Sequence, residues 1–388
     1  MINIYNKICP ELLKIVKTNS AFSDSDCVVY GSNFRRLKEE INKLGKPYHE
    51  YPFISAIGVS LSQKQIIKFA RTTIVGFIAK QTKVTTQVNV AKKIMNVDKV
   101  SDKNLGADVT VAVIDTGINP HLDFCVPQNR IVKFVDLVSN KKAPYDDNGH
   151  GTYVSSIVCG NGIAGAKKYS GVSPRTKIVA IKALDNTGET GAYKILEAMQ
   201  WISDNHKKYN IRVVCMSFGA SPLGRNDPLV VGAESLWNLG IVVVAAAGNS
   251  GPENYTIKAP GFSSKIITVG GFDDKRDENG DFDFQKFKVA SFSSRGPAGM
   301  YFKPDLIAPA VDITGAGFDE KNGNFYVKMS GTSVATPMIA GICCLVISKY
   351  PYITPDQLKV RLLRGCKSLT RNKNEEGFGV PSIAEFLK

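Results

Sequence analysis

Val109-Thr-Val-Ala-Val-Ile-Asp-Thr-Gly117 is a run of branched apolar residues that ends in a carboxylate and a turn. It lacks the in–out alternation of a half-exposed strand and reads as a strand buried on both faces. Four similar runs follow at Lys177–Lys182, Val213–Ser217, Ile241–Ala247 and Lys265–Val269. Helical patterns at Tyr193–Asn205 and Leu229–Leu239 separate some of them, the second stopped by Gly240. Buried strands alternating with helices predict an α/β fold around a mainly parallel sheet covered on both faces. Two more helices are expected toward the C-terminus. One opens at Ser333; the other opens at Thr354, where Pro355 and Gln357 supply the first-turn signals.

Upstream the pattern changes. A short helix is expected near Glu11–Lys17, then a Ser/Asp-rich turn at Ser23–Asp26. Cys27–Tyr30 reads as a strand, Phe34–Leu44 as an amphipathic helix, and Tyr51–Leu61 as extended with a break near Ala56–Gly58. A helix opens at Ser62 with Gln65 in the capping-box position, and the β-branched run Thr72–Val84 closes the unit. The order β-α-β-β-α-β across residues 27–87 predicts a ferredoxin-like α+β module. The chain thus divides into residues 1–87 and a larger domain at 88–388.

Three segments of the larger domain carry chemistry: Val-Ile-Asp-Thr-Gly at 113–117, Asn-Gly-His-Gly-Thr at 148–152 and Ser-Gly-Thr-Ser-Val-Ala-Thr-Pro at 330–337. In a parallel sheet, strand C-termini and helix N-termini share one edge, so distant segments can converge there. A serine hydroxyl needs an adjacent base to become a nucleophile, and a histidine has the right ordinary pKa, about 6.5. A carboxylate on the other ring nitrogen fixes the tautomer and stabilises the imidazolium. Ser333 at a helix N-terminus adds free N–H groups and a positive dipole end. In a fourth segment, Ala-Ala-Ala-Gly-Asn-Ser-Gly at 245–251, Asn249 can donate to a developing oxyanion.

These four segments, in the order Asp, His, Ser, resemble the subtilisin-like (subtilase) serine proteases. Ser-Phe-Ser-Ser-Arg-Gly-Pro at 291–297 and Lys-Pro-Asp-Leu-Ile-Ala-Pro at 303–309 extend the resemblance, which covers roughly residues 95–388. It implies a three-layer subtilisin-like fold and a serine endopeptidase that hydrolyses polypeptides through an acyl-enzyme. Asp115, His150 and Ser333 would form the triad, with Asn249 as oxyanion donor. Residues 27–87 are similar in topology to the family's inhibitory prosegment. This implies a zymogen whose tail, within 83–90, lies in the substrate cleft and is cut autocatalytically. Tyr-Asp-Asp-Asn-Gly-His-Gly-Thr at 145–152 is most similar to intracellular bacterial subtilases.

By the same resemblance, Ser217, Phe218 and Gly219 would pair with substrate backbone by strand addition. Ala245, Ala246, Ala247 and Gly248 would form the opposite wall of the pocket for the residue before the scissile bond. Small residues on that wall leave room for a large apolar side chain. Lys-Ala-Pro-Gly at 258–261 resembles a family turn with a cis Ala259–Pro260 bond. Tyr153 stands near a position usually held by a second histidine and is expected to narrow the approach to the site.

No cofactor is required by this reading. A structural calcium stays open without support: the Asn-rich calcium loop of secreted relatives has no counterpart at Gly160–Gly165. In the acidic stretch Asp273–Asp283, setting Gly280 at the sixth position of a calcium loop puts Lys275 and Lys286 at its ends. His49, His121 and His206 read as structural.

The composition of the 388 residues fits this picture. Hydrophobic residues make up 43% and charged ones 22%, which argues against a disordered chain. The net charge of +14 raises nucleic acid as a partner, but Lys and Arg are dispersed, without an aromatic-interleaved stripe. Residues 1–87 hold 13 Lys+Arg against 6 Asp+Glu, half the excess, so the charge describes a precursor. The apolar stretch Met338–Ile347 is shorter than the roughly 18 residues of a membrane span. Pro10, Glu11, Lys14 and Lys17 interrupt any signal-peptide core, and none of the eight cysteines forms a CxxC pair. Reduced thiols, a cytoplasmic location and no membrane partner are therefore expected. The rival reading is a protease-shaped binding or regulatory protein held inactive by its own N-terminal module.

Overall fold

The computed structural model describes residues 4–9, 12–13, 16, 24–52, 55–80, 91–97, 106–276, 282–319 and 324–383. They fall into two compact units, one ending at Lys83 and one beginning at Val84. The expected boundary at 87 and the expected cleavage segment 83–90 lie outside the described residues, as does most of the helix expected near Glu11–Lys17.

In the first unit, strands β1 (Ser25–Gly31), β2 (Tyr48–Tyr51), β3 (Ala56–Leu61) and β4 (Val75–Lys80) form an antiparallel sheet in the order β2-β3-β1-β4. Helix α1 (Phe34–Asn42) follows β1, and α2 (Gln63–Ala70) follows β3, which completes the expected β-α-β-β-α-β topology. Asn33 caps α1 by accepting from the Arg36 N–H; Ser62 and Gln65 form the reciprocal box that opens α2. Leu37 and Ile41, one turn apart on α1, are buried with Ile66 and Phe69 of α2 against Val29, Ile57 and Ile78. Each such side chain contributes about 1.5–3 kcal/mol of hydrophobic stabilisation.

In the second unit, β5 (Thr110–Asp115) is buried along its whole length. A strand so placed needs a neighbour on each edge and a layer on each face. The edges are β7 (Lys177–Lys182) and β8 (Ile211–Met216), both parallel to it. The sheet continues through β6 (Ile131–Asp136) on one side, and through β9 (Val242–Ala246) and β10 (Ile267–Asp273) on the other. Short β11 (Lys288–Val289) pairs antiparallel with β10, and β12 (Leu306–Pro309) pairs parallel with it. Chain order therefore reverses at β5, whose C-terminus is a switch point where a crevice opens. β10 runs four residues past the expected end, through Gly270 and Gly271, because β12 pairs there.

Helices α3 (His150–Cys159), α4 (Ala192–Tyr209), α5 (Pro228–Asn238), α6 (Thr332–Lys349) and α7 (Pro355–Arg364) complete the layers, with a β13 (Ile313–Asp319)–β14 (Asn324–Met329) hairpin leading into α6. Thr354 and Gln357 form the capping box expected for α7. Every residue of α6 from Thr332 to Ile347 is buried, as a helix apolar all round must be. By length and composition α6 would pass for a membrane span, which Met338–Ile347 alone would not; 89% of it is buried inside the protein. It packs on β8, β9, β10, β12 and α3. The Ala259–Pro260 bond is cis. Burial pushes the Cys159 and Cys215 thiols up to about 11 and about 12.

Candidate active site

The end of β5 delivers Asp115 into the crevice, and the start of α3 delivers His150 beside it. Asp115 Oδ1 lies 2.7 Å from His150 Nδ1 and also accepts the Thr116 N–H at 2.8 Å. The carboxylate is buried, while the imidazole keeps 19% of its surface exposed. With Nδ1–H donated to Asp115, the lone pair of Nε2 is left available as a base. Burial opposes charge on this ring, but Asp115, by charge and hydrogen bond, and Asp146, by charge, outweigh it and raise the His150 pKa above its ordinary value.

Two glycines let the helix start so close to the strand. Gly149 caps α3 at φ +97°, a left-handed conformation that side chains resist. A Cβ on Gly151 would stand 2.2 Å from the Gly117 carbonyl oxygen.

A group that the sequence reading passed over ties the two segments together. Asp146 Oδ1 accepts from the Thr116 hydroxyl and the Gly149 N–H at 2.8 Å, and from the Asn148 N–H at 3.2 Å. Its Oδ2 accepts from the Thr152 N–H at 2.8 Å and the Thr152 hydroxyl at 2.6 Å. The Gly151 N–H donates to Thr116 Oγ1 at 2.8 Å. The buried Lys182 ammonium, at the end of β7, donates to the Thr116 carbonyl and to Asp147, both at 2.6 Å. The available signal was Asp146 itself, a carboxylate just ahead of a helix whose first N–H groups need acceptors.

On the other side of the crevice, Thr332 opens α6, so the helix begins one residue earlier than expected and Ser333 is its second residue. The Ser333 N–H is thus one of the helix's unpaired donors. Asn249 Oδ1 accepts the Thr332 N–H at 2.8 Å and the Thr332 hydroxyl at 2.9 Å. The Thr332 hydroxyl in turn accepts the Gly248 N–H at 3.2 Å. These bonds fix which end of the amide is anchored and leave the Asn249 NH₂ as the free donor. Thr332 is a second positioning residue missing from the expected set. Ser333 Oγ is buried and hydrogen-bonded to no described residue, His150 included; Asp115 Oδ2 is likewise unpartnered among them.

The expected substrate-binding residues divide. Gly219 is exposed and Phe218 half-buried. Ser217 and Ala245–Ala247 are buried, Ala245 in register with Met216 across the β8–β9 pair, so they contribute backbone rather than a side-chain surface. Tyr153 does not narrow the approach: it is fully buried and donates its hydroxyl to the Ile313 carbonyl at 2.9 Å. It packs on β13, where its ring lies against Gly315, rather than in the crevice. His121 caps a short helical turn, its Nδ1 accepting the Asp123 N–H, and burial lowers its pKa. Among the described residues no group of three or more His, Cys, Asp or Glu could hold a metal ion; positions 277–281 of the acidic stretch lie outside them.

Strand order and this set of carboxylate, imidazole, hydroxyl and amide are the arrangement that defines the subtilisin-like class of proteins. The chain belongs to the subtilase family, whose profile matches residues 106–380. It is 40% identical over 279 residues to serine protease AprX of Bacillus subtilis (strain 168), which covers 67% of this chain and 61% of AprX, so the chain spans less than two thirds of that relative. It is 31% identical over 318 residues to a thermostable alkaline protease of Halalkalibacterium halodurans, covering 81% and 78% of the two chains. Among solved structures, the S41 psychrophilic protease matches with a TM-score of 0.64 at 25% identity, covering 78% of this chain and 99% of that one.

Proposed function

We propose that the chain is a serine endopeptidase made as a zymogen, with Asp115, His150 and Ser333 as its triad. The observation that carries this is the 2.7 Å Asp115–His150 bond, which commits Nδ1 and leaves Nε2 as base. Ser333 Oγ attacks a peptide carbonyl carbon while His150 Nε2 takes its proton. The oxyanion is met by the Asn249 NH₂ and the Ser333 N–H. The C–N bond then breaks as His150 protonates the leaving amine, and water repeats the sequence to release the acyl group. Catalytic hydrogen bonds often close only around substrate, which is compatible with the unpartnered Ser333 hydroxyl.

In this reading the first unit is a removable inhibitor, separated by the chain's own activity within 83–90. The free thiols of Cys125, Cys159, Cys215, Cys343, Cys344 and Cys366 suit a reducing, cytoplasmic setting. The test compares the full chain with Ser333→Ala. The parent should label with a fluorophosphonate, hydrolyse casein and yield a fragment lacking about the first 87 residues. The variant should do none of these, with kcat down by about 10⁶-fold, the scale found in subtilisin. Maturation and casein hydrolysis by Ser333→Ala would refute the triad. A labelled chain that never loses its first unit would favour the regulatory rival.

A further inference from the structure

Lys258 stands against Gly248, the residue next to Asn249. Beyond Met216 and Ala246 the chain leaves β8 and β9, and the segment around Lys258 is bonded into both departing strands. The Lys258 N–H donates to the Ala247 carbonyl at 2.9 Å, and Ala259 exchanges two bonds with Ala220 at 2.9 and 3.0 Å. The Lys258 stem fills the gap between the two sides. A Cβ built on Gly219 would meet Lys258 Cβ at 2.6 Å, and one built on Gly248 would meet its Cγ at 2.4 Å. Gly248 adjoins Asn249 and donates its N–H to Thr332, next to Ser333. In the endopeptidase reading, a peptide whose carbonyl oxygen meets Asn249 would set the side chain of that same residue beside Gly248 and this gap.

Lys258 is half-buried, and among the described residues no carboxylate pairs with it. The buried Lys182 and Lys303 and the half-buried Lys359 have carboxylate acceptors: Lys182 has Asp147, and Lys303 and Lys359 share Asp305. Burial alone lowers the Lys258 pKa, as expected for an ammonium without a counter-ion. Such a charge is unfavourable until an anion arrives. The Lys258 stem stands between Gly219 and Gly248, and the ammonium it carries is the wrong complement for a large apolar group.

We propose that Lys258 is the specificity-determining residue of this site, a cationic floor that selects peptides with a carboxylate side chain, glutamate above all, immediately before the scissile bond. This rests on the endopeptidase reading above and names its substrate class.

The test uses the full chain and peptide anilides identical except for Glu, Gln, Leu, Phe or Lys before the scissile bond. Glu should exceed its neutral isostere Gln in kcat/KM by about 10–100-fold at low salt, the scale of a charge-assisted hydrogen bond, and the ratio should shrink as salt rises. Lys258→Met keeps the stem and should bring the ratio to about one, while Lys258→Arg should retain it; fluorophosphonate labelling reports that each variant is folded. Hydrolysis with a wild-type Glu/Gln ratio near one, or a Glu preference that survives Lys258→Met, overturns the proposal and leaves the peptidase reading intact. Absence of labelling and of all hydrolysis overturns the peptidase reading instead. The pocket is then read by calorimetric binding of the peptides, uncleaved in that case, to the parent chain: tighter Glu binding that Lys258→Met removes supports it, and equal binding overturns it.

Discussion

The two sides of the crevice are held in place by different means. On the acid–base side nearly every polar atom is committed: Asp146 alone accepts five hydrogen bonds, and Thr116 and Lys182 tie the ends of β5 and β7 to the loop before His150. On the nucleophile side the positioning comes from an apolar helix packed into the core. Thr332 anchors the Asn249 carbonyl oxygen, and the Ser333 hydroxyl and Asn249 NH₂ remain uncommitted. In the proposed mechanism the difference follows from the tasks. A histidine that becomes charged needs a fixed, polar surround. Groups that must bind a transient oxyanion have to be positioned without being satisfied by the protein.

Asp115→Asn breaks this comparison most strongly. It removes the charge that fixes the His150 tautomer, and kcat should fall by about 10⁴-fold with KM little changed, in steady-state kinetics. The same carboxylate raises the His150 pKa. Because the neutral ring is the base, the acid limb of the parent's kcat/KM profile should lie above the ordinary histidine value of about 6.5 and move down in Asp115→Asn. The stability supplied by the Asp115–His150 pair has the opposite sense. It is fully present below the unfolded histidine pKa and is lost as pH rises through the raised folded value.

Asn249→Ala should cost about 10²–10³ in kcat, with KM and thermal stability nearly unaffected, because the side chain's free end serves the oxyanion. Asp146→Ala should act on the fold first. It strands several buried donors and should lower the midpoint of thermal unfolding by about 5–10 °C, for a loss of about 3 kcal/mol. Its effect on kcat should be the smallest of the three if the knot only positions His150. A catalytic loss larger than that of Asn249→Ala, with unfolding unchanged, would contradict the division drawn here.

Legibility followed the range of the interactions. Asp115, His150, Asn249 and Ser333 could be picked out because each sits in a short segment with its own turn glycine or helix start. The boxes at Ser62/Gln65 and Thr354/Gln357 are equally local. β6, an edge strand with mixed burial, and the β13–β14 hairpin were missed because no continuous apolar run marks them. Tyr153 was misjudged because its partner, the Ile313 carbonyl, lies 160 residues away.

Residue pattern alone therefore determined the α/β character of the larger unit, the βαββαβ order of the smaller one, and the four segments proposed to carry the chemistry. These depend on periodicity, capping and turn propensity within a few residues. Only the tertiary structure decided the reversal of strand order at β5, the role of Asp146 as a ligand for both segments, the burial of Tyr153, and the placement of Lys258 between Gly219 and Gly248. Each of these depends on which distant backbone arrives alongside, and burial and hydrogen-bond satisfaction settle that for the whole fold at once.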